Sequence, residues 1–124
     1  MPLLLVVEDD GDIRRSVSDL LRAEGHSVSE AANSDAALDL LRTVNPAAVI
    51  LDYGIPAPRD GDEFLREKAR DPKVASIPVI VMSGFMLPPI IDGVVAILRK
   101  PFDVEQLLAI VRRVTLADDE STAA

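Results

Sequence analysis

Five side chains sit where chemistry could be done, each at the end of an apolar run. Glu8 and Asp9 follow Leu3–Val7, Asp52 follows Ala47–Leu51, Ser83 follows Val79–Met82, and Lys100 stands just beyond Val94–Leu98. Ligands of open α/β sheets bind beyond the carboxyl ends of the strands. If the runs are strands, three carboxylates, one hydroxyl and one ammonium meet at one rim. Carboxylates brought within several ångströms repel, and at least one pKa rises unless a cation intervenes. A hard oxygen site with few protein ligands suits Mg²⁺, which keeps several waters and binds together with phosphate. Lys100 adds a point charge for a carboxylate or a phosphoryl oxygen, and Ser83 adds a hydroxyl donor. Together these groups describe phosphoryl transfer by positioning and charge neutralisation, with a carboxylate as nucleophile.

Composition removes other chemistries. The 124 residues carry 13 Lys and Arg against 21 Asp and Glu, a formal charge of −8. That balance argues against direct nucleic-acid binding, which needs a basic footprint. Without Cys there is no disulfide, thiolate metal site or Cys nucleophile. The lone His26 excludes a zinc cluster built on His, and its place after Gly25 reads as an exposed turn. No apolar run has the ~18–20 residues of a membrane span, and the N-terminus lacks a signal-peptide pattern. The expectation is a cytoplasmic domain with no membrane contact.

The elements must place the rim. The four runs are uniformly apolar, as in parallel strands buried on both faces. Ser27–Ala31 is more polar and suits a sheet edge. Ile13, Val17, Leu20 and Leu21 fall at helical spacing before Gly25. Asn33 or Ser34 can cap a second helix, and Phe64 and Leu65 mark a short third one that ends before Pro72. Asp103 with Gln106 resembles a capping box for a last helix, whose stripe ends at Val114. Such alternation implies an α/β fold, a flavodoxin-like doubly wound five-stranded parallel sheet of order 2-1-3-4-5. The domain is expected over residues 1–114, with 115–124 an acidic, disordered tail.

Five segments in this order resemble the receiver domain of two-component response regulators: Val6-Val7-Glu8-Asp9-Asp10, Ile50 to Pro56, Asp60-Gly61, Pro78 to Gly84, and Lys100-Pro101-Phe102. The resemblance implies that Asp52 is the phosphoacceptor. It makes Asp9 a direct Mg²⁺ ligand, Glu8 a ligand through water, and the Gly54 carbonyl a further one. It makes Ser83 the switch hydroxyl and Lys100 the phosphate-pairing lysine, with a cis Lys100–Pro101 bond. The implied partners are a histidine kinase or histidine phosphotransfer protein and a downstream protein target. The chain would act as a phosphoacceptor and not as an enzyme, apart from its own phosphorylation and dephosphorylation.

Three departures stand against the family pattern. Ile97 occupies the aromatic switch position. The loop Pro56–Gly61 is one residue longer than the common form. The stretch between Ser83 and Lys100 is short and holds Pro88-Pro89, which leaves room for about one helical turn at 89–92. The fourth helix of the fold is therefore expected to be shortened or missing, and with it the usual dimer through that helix. Two other classes compete with the phosphoacceptor reading. A small Mg²⁺-dependent phosphohydrolase or TOPRIM-like domain would need an Asp-x-Asp pair, and Gly54 stands at its second position. A protein-binding pseudo-receiver would be expected to lack Asp52 or Lys100. Taken singly, Glu8-Asp9-Asp10 also reads as an acidic helix N-terminus, and Tyr53 and Phe102 read as packing.

Overall fold

A computed structural model describes residues 3–53, 58–84 and 93–123. In chain order the elements are β1 (Leu3–Val7), α1 (Gly11–Ala23), β2 (Ser27–Ala31), α2 (Ser34–Val44), β3 (Ala48–Tyr53), α3 (Pro58–Arg70), β4 (Val79–Ser83), β5 (Val94–Arg99) and α4 (Val104–Ala123). All neighbouring strands pair in parallel, in the order β2-β1-β3-β4-β5. The alternation of runs and stripes had this consequence because parallel neighbours need a crossover, and the apolar stripe of each helix covers a sheet face.

Each face of the sheet has its own core. On one, Leu5, Val49, Leu51 and Val81 pack with Leu38 and Leu41 of α2 and with Phe64 and Leu65 of α3. On the other, Leu4, Val6, Ile50 and Met82 pack with Val17 and Leu21 of α1 and with Leu107 and Val111 of α4. The helix signals act as chemistry dictates. Asn33, not Ser34, caps α2, its side chain accepting from Ala36 N at 2.9 Å. Gly25 takes the left-handed backbone (φ 96°) that ends α1. Gln106 accepts from Asp103 N at 2.8 Å in front of α4.

Three expectations are corrected. The third helix is not short: α3 begins at Pro58 and carries Asp60-Gly61 inside it rather than in a loop, since proline is well placed in a first helical turn. β5 is not buried on both faces. It closes the sheet edge, with Val95 56% and Ile97 38% exposed. Val95 is an extra residue between the pairs Val79–Val94 and Ile80–Ala96, a bulge of the kind common on edge strands. The tail expected from 115 is also not loose at its start. α4 continues through it to Ala123, and Thr115 is buried, donating to Val111 O at 2.9 Å. No Gly or Pro stands there to stop the helix. The short helix expected at 89–92 lies outside the described residues.

Candidate functional site

Register brings the rim together. Val7 pairs with Leu51, so Glu8 comes level with Asp52 at the ends of two central strands. Asp52 pairs with Met82 and Tyr53 with Ser83, while Ser83 in turn pairs with Arg99 beside Lys100. Lys100 N donates to Ser83 O at 2.7 Å, and the Lys100–Pro101 bond is cis. Asp52 therefore belongs to β3 itself rather than to the loop after it.

The central contact is an ion pair. Lys100 Nζ lies 2.7 Å from Asp52 Oδ2; the Asp52 side chain is fully buried and that of Lys100 about a third exposed. Glu8 is buried beside them, and Ser83 is buried at the end of β4. Burial, followed by a hydrogen bond to Asp52, pushes the Glu8 carboxyl up to about 8. Two buried oxygens, Glu8 Oε2 and Asp52 Oδ1, meet no N–H or hydroxyl donor. Burial beside a second carboxyl favours the neutral form of Glu8, and a cation at these oxygens would offset the crowding of charge.

The carboxylates differ in use. Asp9 is exposed and lines, with Glu8, Asp52, Ser34 and Gly61, a cavity of about 20 Å³, room for about one water-sized occupant. Asp10 instead caps α1, accepting from Asp12 N at 2.9 Å and Ile13 N at 3.1 Å. The helix-terminus reading thus holds for this residue. Among the described residues no three His, Cys, Asp or Glu side chains are placed as a complete metal-ligand group, and Gly54 lies outside the described residues. The orphaned carboxylate oxygens still fit Mg²⁺, which asks for only one or two carboxylates and fills the rest of its shell with water and phosphate.

Two supporting residues carried no sequence signal. Arg14, in line with the buried Val17, Ser18 and Leu21 of α1, donates through Nη1 to the Glu8 carbonyl at 2.8 Å. Tyr53 donates to Asp62 Oδ1 at 2.7 Å, joining the end of β3 to α3. Burial and then the Asp62 carboxylate push the phenol up to about 12.

With this geometry in place, comparison with known proteins identifies the family. The chain belongs to the response regulator receiver domains, whose family model matches residues 4–112. It is 36% identical to the response regulator Rre1 of Synechocystis over 98% of its own length and 54% of that protein's. It is 32% identical to sporulation initiation phosphotransferase F of Bacillus subtilis, over 89% of the chain and 90% of the relative. The chain thus spans about half of Rre1 and most of the phosphotransferase. Among solved structures, the receiver domain of NtrX from Brucella abortus superposes with a TM-score of 0.79 at 30% identity, covering 90% of this chain and 97% of that one. The chemotaxis response regulator CheY4 of Vibrio cholerae does so with 0.79 at 28% identity, covering 92% and 98%. Among the described residues no helix is long and apolar enough to cross a membrane.

Proposed function

We propose that this receiver domain accepts a phosphoryl group on Asp52 from a phosphohistidine of a partner protein, a histidine kinase or a histidine phosphotransfer protein. The observation that supports it most is the buried Asp52–Lys100 pair at 2.7 Å, set beside the buried Glu8 at the ends of the central strands. An Asp52 oxygen attacks phosphorus, the P–N bond breaks, and the electron pair returns to the histidine nitrogen, leaving an acyl phosphate on the domain. Lys100 holds Oδ2 and so fixes the carboxylate plane. The same ammonium can follow the charge onto the phosphoryl oxygens. Ser83 stands at the adjacent strand end as a hydroxyl donor to that group. Glu8 and Asp9, with Asp52, would hold Mg²⁺; the ion would neutralise charge on the phosphoryl oxygens.

On this reading the domain modifies only itself and signals to a downstream protein. Phosphotransfer is also the activity that the name of the Bacillus relative states. The chain's acidic charge fits protein partners in the cytoplasm rather than nucleic acid. The test is incubation with a small phosphodonor, with and without Mg²⁺, followed by intact mass. One Mg²⁺-dependent phosphoryl adduct is expected, absent from Asp52→Asn. Continuous turnover of the donor without an adduct would favour a phosphohydrolase, and no reaction at all a protein-binding pseudo-receiver.

A further inference from the structure

Glu8 is held from every side but one. Its N–H donates to Ala31 O at 3.0 Å. Its Oε1 accepts from Asp10 N at 3.1 Å, and its carbonyl accepts from Arg14 Nη1 at 2.8 Å. Only Oε2 is left, buried and without a donor. Arg14 alone among these holders acts through a side chain, and that side chain is itself fixed. Its Nε donates to Glu30 Oε1 at 3.3 Å. The other Glu30 oxygen accepts from Arg22 Nη2 at 3.2 Å, which also donates to Val28 O at 3.2 Å. The Arg14 and Glu30 side chains are only 22% and 29% exposed.

An ion pair at a protein surface contributes little by itself, so the stability of the Arg14–Glu30 pair does not explain this arrangement. What it does is geometric. A guanidinium presents several N–H groups in a rigid plane. Here one side of that plane is held by Glu30 on β2 and the other holds the backbone of Glu8 after β1. We propose that Arg14 is a positioning residue of the acidic site, locked by Glu30, which fixes the β1–α1 turn and thereby sets the affinity of the site for a divalent cation. This rests on the reading that the site binds one.

The experiment titrates Mg²⁺ into the full chain, following backbone amide shifts, with melting in chelator measured alongside. Arg14→Lys keeps the charge but cannot span Glu30 and the Glu8 carbonyl. Glu30→Gln leaves the Arg14 charge in place and loosens its hold. Both are expected to weaken Mg²⁺ about three- to tenfold, the net scale of one ordinary hydrogen bond. Wild-type affinity in Arg14→Lys overturns the proposal, as does a variant that loses melting temperature in chelator while its Kd is unchanged. Tighter binding by Arg14→Ala with Arg14→Lys unaltered would mean that Arg14 acts by charge alone, and overturns it too. Failure of the wild type to bind Mg²⁺ overturns the cation reading and Arg14's role together. Wild-type binding that Arg14→Lys leaves unchanged overturns Arg14's role alone.

Discussion

The ring of Tyr53 occupies the space that a β-carbon at Gly61 would need: a Cβ built there lies 2.7 Å from Tyr53 Cδ1 and 3.2 Å from Cε1. Gly61 lies inside α3, where alanine would otherwise gain about 1 kcal/mol of helix propensity. The ring is buried and tied to Asp62, so it has little room to yield. Overpacking costs roughly 1–3 kcal/mol and should exceed the propensity gain. Gly61→Ala is therefore expected to destabilise by about 1 kcal/mol in urea unfolding followed by circular dichroism. In a Tyr53→Val background the same substitution should become neutral or stabilising. Additive effects of the two changes would show that ring and glycine are not coupled.

Glu8 gives the site a pH signature. Its carboxyl, ordinarily at 4.5, is pushed up to about 8 by burial and by Asp52. The folded state therefore binds more protons than the unfolded state between those values, and stability falls as pH rises through that window. The contribution is fully present below pH 4.5 and lost by about pH 8. The limiting slope is ~1.4 kcal/mol per pH unit. Glu8→Gln has no proton to lose, so in chelator it should match wild type near pH 5 and exceed it near pH 9. Parallel stability curves for the two proteins would mean that Glu8 ionises normally.

Lys68 shows the opposite behaviour away from the rim. It is buried in α3, its Nζ donating to Ala75 O at 2.9 Å, and burial lowers its pKa from 10.5 to about 8. Below pH 8 both states carry the charge, and the folded state bears the whole burial penalty. Between about 8 and 10.5 the folded state has released its proton and the unfolded state has not. Stability attributable to Lys68 therefore rises with pH there. Lys68→Met should remove this rise. At pH 7 it should be more stable by on the order of 1 kcal/mol, the relief of burial outweighing the donor lost to Ala75. A pH-independent difference between the two proteins would count against it.

What could be read from the residues depended on whether a local signal survives in the fold. The apolar runs and caps did so. β1, β3 and β4 are covered on both faces, and Asn33 and Gly25 stand at helix ends for reasons carried by their own chemistry. The Val94–Leu98 run looks the same as the others, yet it lies at an edge, because composition does not state how many neighbours a strand has. Asp60-Gly61 reads as a loop because glycine disfavours helices; the Tyr53 ring that requires it stands eight residues earlier in the chain. Glu8, Asp52, Ser83 and Lys100 could be placed together since each ends a strand. Arg14 and Lys68 could not, since a basic residue on a helix reads as solvated until its partners are known.

The pairing of Asp52 with Lys100 sets up a competition that can be measured. The Asp52 side chain is fully buried, and Lys100 is the one cation shown in contact with it among the described residues. Removing Lys100 leaves a buried carboxylate whose neutralisation must come from a proton or another cation. The loss is moderated because the Lys100 side chain is about a third exposed, so Lys100→Met should destabilise by about 1–2 kcal/mol in chelator. Lys100→Met combined with Asp52→Asn should recover most of that loss, since the orphaned charge is gone. If Mg²⁺ binds at the same carboxylates, it supplies the missing charge. Added Mg²⁺ should then raise the melting temperature of Lys100→Met more than that of wild type, and should do little for the double variant. An equal Mg²⁺ response in all three would place the ion away from Asp52.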